Sequence, residues 1–177
     1  MAKNEELSQI IAGCKAGKSE SFSQLLDLYA KRCYGYFYRL TGNRDVSDDL
    51  LSELFVKLVK NISSFKNGSF DSWIFRIASN VFYDYLRTRQ RQKKILDVKR
   101  SLEETKVSAD PGGNYDRDDE LQKQLGKLDE KTRELIMLRF YSGATFRELA
   151  AMRNEPIGSI LSKVHRGLKK LKELMET

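Results

Sequence analysis

Histidine, tryptophan, proline and cysteine are nearly missing from this chain of 177 residues, which holds one His, one Trp, two Pro and two Cys. So few Cys and His cannot assemble a zinc site of the usual four-ligand kind. The same scarcity removes the prospect of a His-dependent catalytic triad, since His165 lies among basic residues near the C-terminus and reads as a solvated or phosphate-facing side chain. No catalytic residue, metal or cofactor is therefore expected. Cys14 and Cys33 read as free thiols, buried or partly buried, in a reducing compartment. No stretch approaches the roughly 20 apolar residues that span a bilayer. The first twenty residues, MAKNEELSQIIAGCKAGKSE, lack the apolar run of a signal peptide. The expected setting is cytoplasmic, with no membrane insertion.

Charge, by contrast, is plentiful. Lys and Arg number 32 against 25 Asp and Glu, a net +7, and a basic excess favours a polyanionic partner. The distribution says more than the sum. From Arg87 to Arg100 there are seven bases and one acid, Asp97; from Glu103 to Glu120 there are seven acids and two bases, Lys106 and Arg117. Two such blocks imply surfaces with different electrostatic tasks.

Helical periodicity dominates and no run alternates in the manner of a strand. Helices are expected over Glu5–Ala16 and Phe22–Leu40, the second carrying Phe22, Leu25, Leu26, Tyr29, Cys33, Tyr36, Phe37 and Leu40 on one face. Gly42-Asn43 breaks it, and Asp45 is expected to cap a third helix, Val46–Asn61, that turns Leu50, Leu51, Leu54, Phe55, Leu58 and Val59 inward. Ser63–Phe70 reads as a loop broken by Asn67-Gly68. A longer helix is expected from Asp71 to about Lys94, with Ile74, Ile77, Ala78, Val81 and Tyr85 apolar. Periodicity then fails across Pro111-Gly112-Gly113, which marks an acidic interdomain linker. It returns with Leu121, Leu125 and Leu128, and Asp129 is expected to cap a helix bearing Leu135 to Leu138 and Phe140. The predicted architecture is all-α: two small helical domains, residues 1–95 and 119–177, joined by a flexible acidic linker over 96–118.

The C-terminal part reads as a helix-turn-helix. Thr145 and Glu148 make a T-x-x-E capping box. Asn154 is suited to a left-handed turn, and Pro156 suits the first turn of the next helix. On that helix Ile157, Ile160, Leu161, Val164, Leu168 and Leu171 share an apolar face, opposite Ser159, Ser162, Lys163, Arg166, Lys169 and Lys170. A basic helix held on a small three-helix core is a common way into the DNA major groove. An αα-hairpin with a solvated basic face fits this segment too.

Several signatures line up in one order. SDDLLSELF (Ser47–Phe55) resembles the helix by which bacterial sigma factors grip RNA polymerase. FDSWIFRIASNVFYDYLRTRQR (Phe70–Arg91), with Trp73, Asn80, Asp84 and Arg87, resembles their promoter-melting and −10-reading helix. LDEKTRELIMLRFYSGATFRELA and NEPIGSILSKVHRGLKKL resemble their −35-reading domain. With only these two domains, sigma region 2-like and region 4-like, the chain resembles an extracytoplasmic-function sigma factor. The resemblance covers Phe22 to Leu174, less the acidic linker.

It implies a non-catalytic subunit that binds core RNA polymerase through the β′ and β subunits, recognises the −35 and −10 promoter elements and melts DNA. It also implies an anti-sigma factor as regulator. Polymerase binding falls to Asp48, Asp49, Ser52 and Glu53, which otherwise read as a solvated face with acids near a helix N-terminus. Contacts to −10 DNA fall to Arg76, Asn80, Tyr83, Asp84, Arg87, Arg89 and Arg91. Phe82 and Tyr83 are expected to stack on exposed bases, the Ser63–Phe70 loop to offer a pocket for an extruded one, and Trp73 to sit in the core. Arg87 has the alternative of pairing with Asp84. Contacts to −35 DNA fall to Thr145, Arg147, Gly158, Ser159, Ser162, Lys163 and Arg166, with Arg147 equally readable as a surface charge. The acids Asp116, Asp118, Asp119 and Glu120 read either as a nucleic-acid mimic inside the polymerase or as a solvated tether. Three positions depart from the family pattern: Ser52 in place of Gln, Glu155 in place of an apolar residue, and Leu161 in place of a polar or basic one. Two rivals are an autonomous helix-turn-helix repressor or activator and a nucleic-acid enzyme such as a recombinase.

Overall fold

The computed structural model describes residues 2–102 and 119–176, with no strand among them. Its helices are α1 Ala2–Lys15, α2 Ser19–Thr41, α3 Arg44–Asn61, α4 Phe70–Leu102, α5 Glu120–Gly126, α6 Glu130–Ser142, α7 Phe146–Arg153 and α8 Ile157–Met175, with a single 3-10 turn at Ile62–Ser64. The helix ends follow local chemistry. Gly42 and Gly143 close α2 and α6 in the left-handed conformation, φ 63° and 66°, where a side chain would be strained. Asp129 caps α6 by accepting the Thr132 N–H at 2.9 Å. The cap of α3 is Asn43, which accepts the Val46 N–H at 3.0 Å. This corrects the expectation of Asp45, which lies inside the first turn, where its charge favours the helix dipole.

The α1–α4 core is built on buried Leu25, Tyr36, Phe37, Leu54, Leu58, Ile74 and Phe75. Aromatic edges knit it: Tyr36 meets Phe37 at 5.4 Å and Phe75 at 5.5 Å between ring centroids, within the range of favourable edge-to-face pairs. The second core gathers Leu125, Leu138, Leu149 and Ile160. Gly167 lets α8 lie close on α6, because a Cβ there would fall 2.5 Å from the Thr132 methyl.

Two expectations on packing are corrected. Val59 faces outward, 52% exposed, because α3 buries one narrow line through Leu50, Leu54 and Leu58. On α8 only Ile160, Val164 and Gly167 are buried; Ile157, Leu161 and Leu168 remain on the surface. A short helix pair cannot cover so wide an apolar stripe.

Helix α4 also runs on to Leu102, past the Lys94 expected from its apolar face. Arg87 to Val98 are exposed, so backbone hydrogen bonds and helix-forming Arg, Lys, Gln and Leu carry most of this stretch. The rest of the expected linker, 103–118, with Asp116 and Asp118, lies outside the described residues. Asp119 is no free linker acid: it caps α5 by accepting the Gln122 N–H at 3.1 Å and pairs with Arg39.

The two helical units pack directly on each other. Arg133 of α6 donates to the Leu40 carbonyl at the end of α2, at 2.6 Å. Gly35 of α2 leaves room for Tyr141 of α6, whose hydroxyl would lie 2.9 Å from an added Cβ. Tyr141 also reaches the rings of Tyr36 and Phe75 at 5.9 and 6.0 Å.

Candidate nucleic-acid interface

Three surfaces hold the residues singled out in the sequence. The first is the outer face of α3. Leu50, Leu54 and Leu58 go inward, which leaves Asp48, Asp49, Ser52 and Glu53 exposed. The Ser52 hydroxyl turns back to the Asp48 carbonyl at 2.9 Å, and Glu53 pairs with Lys57 at 3.0 Å. Val56 and Val59, each about half exposed, prolong this face. Periodicity assigns Val59 to the inward face and leaves Val56 unassigned, so neither is announced as surface. The result is an acidic patch with an apolar end, suited to a basic and apolar partner.

The second surface is on α4. Arg76, Asn80, Arg87 and Arg91 are exposed. Their spacings of four, seven and four residues keep them on one stripe at about 100° per residue. Asp84 lies on that stripe and is held on both sides: Lys57 donates to it at 3.0 Å, and Arg87 pairs with it. The Lys57 hydrogen bond, helped by Arg87, holds the Asp84 carboxyl below its ordinary value. Of the two roles open to Arg87, pairing with Asp84 is the one present here.

Phe82, expected to stack on a base, is corrected, and two other α4 side chains are held by protein partners. Phe82 is buried and has no ring face for a base. Tyr83 is half-buried, and the Arg153 guanidinium lies over its ring at 4.6 Å. Burial is the first cause that pushes its phenol up to about 12. Arg89 pairs with Glu130 of α6 and stacks on Tyr85.

The Ser63–Phe70 loop ends in an aromatic cluster, Phe65, Phe70 and Trp73, with centroids 5.2 to 5.5 Å apart. Trp73 packs there half-buried. A cavity of about 620 Å³ also opens at this loop, lined by Leu7, Ile11, Tyr29, Arg32, Phe65 and Asp71 among others. It does not face the stripe of Arg76, Asn80, Arg87 and Arg91. Asp71 precedes Asn80 by nine residues, about half a turn away around the helix, whereas Trp73 precedes it by seven and shares its side. Inside the cavity Asp71 accepts from Tyr29 at 2.6 Å and from Arg32 at 3.1 and 3.3 Å.

The third surface is the helix-turn-helix. The capping box is formed: Glu148 N–H donates to Thr145 Oγ1 at 3.2 Å and Thr145 N–H donates to Glu148 Oε2 at 2.7 Å. Asn154 takes the left-handed turn at φ 52°, and Pro156 stands one place earlier than read, as the residue before α8. Thr145, Arg147, Gly158, Ser162 and Arg166 are exposed, Ser159 and Lys163 half so. Nothing lies near a Cβ built on Gly158, so the start of α8 is open to close approach. Lys163 pairs with Glu155 and the Arg166 Nε–H donates to the Ser162 carbonyl at 3.2 Å. The acid at position 155 thus occupies a basic side chain of α8.

An acidic helix face, a polar stripe on a long helix and a helix-turn-helix on one all-α chain are the parts of a promoter-recognition subunit. The family description Sigma-70 region 2 matches residues 25–92 and Sigma-70, region 4 matches residues 124–173. The chain is 26% identical over 171 residues to the ECF RNA polymerase sigma factor SigW of Bacillus subtilis, covering 90% of this chain and 91% of that one. It is 34% identical over 139 residues to the ECF RNA polymerase sigma factor EcfG of Rhodopseudomonas palustris, covering 77% and 75%. Among solved structures, the sigma factor RpoE of Bartonella quintana, co-crystallised with the anti-sigma factor NepR, superposes with a TM-score of 0.70 at 28% identity, over 89% of this chain and 98% of that one.

The chain therefore belongs to the extracytoplasmic-function sigma factors, proteins that direct promoter-specific transcription initiation. No described helix is long and apolar enough to cross a membrane.

Proposed function

We propose that this sigma factor divides its work among three functional units: residues 1–95 for polymerase binding and −10 recognition and melting, 96–118 as connector, and 119–177 for −35 recognition. The acidic face of Asp48, Asp49, Ser52 and Glu53, extended by Val56 and Val59, docks on the β′ subunit of core polymerase, while further contacts fall to β. Arg76, Asn80 and Arg87 read −10 DNA, and Arg91 holds its phosphates. A base drawn out of the duplex meets aromatic surface at Trp73, on the same side as Asn80. Tyr83, Asp84 and Arg89 join once their protein partners are released. The start of α8, with Gly158, Ser159, Ser162, Lys163 and Arg166, enters the −35 major groove, and Thr145 and Arg147 touch the backbone from α7. The nucleotide chemistry is the polymerase's, and the protein works in the cytoplasm. An anti-sigma factor regulates it, a reading supported by the relative captured with one.

The observation that carries the reading is the exposed stripe Arg76, Asn80, Arg87 and Arg91 on the same chain as an open α8 N-terminus. The test is Asp49→Lys with Glu53→Lys, both on an exposed face. Co-purification with core polymerase and promoter-directed transcription should both collapse, with circular dichroism unchanged. Unimpaired transcription by the double variant would remove the docking surface from the account.

A further inference from the structure

A carboxylate is buried between the two promoter-reading units, and it belongs to none of the three surfaces. Glu134 of α6 has no exposed surface. Its Oε1 accepts from Tyr36 Oη of α2 and from Ser79 Oγ of α4, each at 2.7 Å. Its Oε2 pairs with Arg153 of α7, which also donates to Ser79 Oγ at 2.7 Å and covers the ring of Tyr83. One buried charge thus fastens four helices. A charge is stable in such a place only while its partners stay around it. Arg153 Nε is buried with no acceptor, so closure leaves one donor unmet and the latch is short of full satisfaction.

Around the latch, acids of the second unit lie along α4. Glu130 pairs with Arg89, and Glu148 is close enough to Arg76 to feel its charge. Both Arg76 and Arg89 belong to the −10 set. The closed arrangement therefore supplies to that set, from within the chain, the negative charge that DNA phosphates would bring. It also conflicts with geometry. Elements at −35 and −10 are about 25 base pairs apart, roughly 85 Å of duplex at 3.4 Å per step, whereas the units here touch. The 16 residues between Leu102 and Asp119 reach at most about 60 Å when extended. That is enough, added to the units' own size, for them to separate.

We infer that Glu134 is the latch of a self-inhibited state that this chain adopts through its own contacts. The inhibitory half rests on the function proposed above; the latch itself does not. In a latched population the apparent promoter affinity is the intrinsic affinity multiplied by the fraction that is open.

The test uses the full chain without polymerase, spin-labelled at cysteines placed at exposed Lys60 and Lys169; Cys14 and Cys33 are buried. Pulsed dipolar spectroscopy should give one narrow distance for the parent chain. Glu134→Ala should add a longer, broad component. Tyr36→Phe keeps the ring packing and removes one hydroxyl, and it should show the same component more weakly, so the test survives if Glu134→Ala fails to fold. Binding to a promoter duplex with an unpaired −10 segment should tighten about tenfold in step with the open fraction. A broad parent distribution, or Tyr36→Phe and a folded Glu134→Ala both at the parent distance, overturns the latch. Longer distances without tighter DNA binding overturn the inhibition. Failure of the parent chain to direct transcription with core polymerase would strike the functional reading and leave the distance result standing.

Discussion

The Tyr36 hydroxyl on α2 donates to the Glu134 carboxylate on α6 at 2.7 Å, across 98 residues of sequence. Both groups are fully buried. Breaking a buried charged pair by removing one partner costs about 3–5 kcal/mol, whereas losing one hydroxyl donor to a charged group costs about 1.5–3 kcal/mol. Urea unfolding should therefore place Glu134→Ala furthest below the parent and Tyr36→Phe between the two. Equal losses in the two variants would show that the carboxylate is not the centre of this network.

The capping box sets the entry to the helix-turn-helix. Thr145→Ala should cost about 1 kcal/mol, read as a lower urea midpoint. The hydrogen bond from the Thr145 N–H, then that from its hydroxyl, holds Glu148 below its ordinary 4.5. The folded value is the depressed one, so the stabilisation is fully present above pH 4.5 and is lost as pH falls through the folded value. In Thr145→Ala this part of the acid sensitivity should shrink. A midpoint that falls with acid as steeply as the parent's would contradict the assignment.

Glu155 holds Lys163 of α8, the helix proposed to enter the −35 groove. Glu155→Gln should free it for phosphate. Polymerase carrying the variant should bind promoter DNA several-fold more tightly, with a salt dependence steeper by about one contact. An unchanged slope would mean that Lys163 does not reach the DNA.

Cys33 is fully buried, and burial pushes its thiol up to about 12; Cys14 is buried and raised from the same cause. Thiolate is the reactive form. A thiol-exchange reagent at neutral pH should therefore find neither residue quickly in the native chain and both in denaturant. Fast native labelling would show that the α1–α2 packing opens readily.

Local chemistry made much of the fold legible. Thr145 with Glu148, Asn154, Asp129 and Gly143 all act at positions that their residue types announce, because caps and left-handed turns are decided within a few residues. Asn43 and Asp45 are both good capping residues two places apart, and residue type alone does not choose between them. Helical periodicity found the inward lines of α2, α3 and α4. It could not say how wide a buried stripe would be: Val59, Ile157, Leu161 and Leu168 fit the period and still face out. Phe140, 76% exposed, belongs with them: it follows the apolar run Leu135–Leu138 after Arg139 and faces out. The Glu134 site was invisible for a different reason. Its partners lie 98, 55 and 19 residues away, and one acid in a helix that begins EKTRE looks like any solvated charge.

Core polymerase should gain a promoter specificity from this chain. Run-off transcription with purified core RNA polymerase on fragments of the source genome, with and without the protein, measures that gain. Protein-dependent starts that share spaced −35 and −10 sequences are expected. A core polymerase that responds to another sigma factor and yields no new start with this one would contradict that expectation.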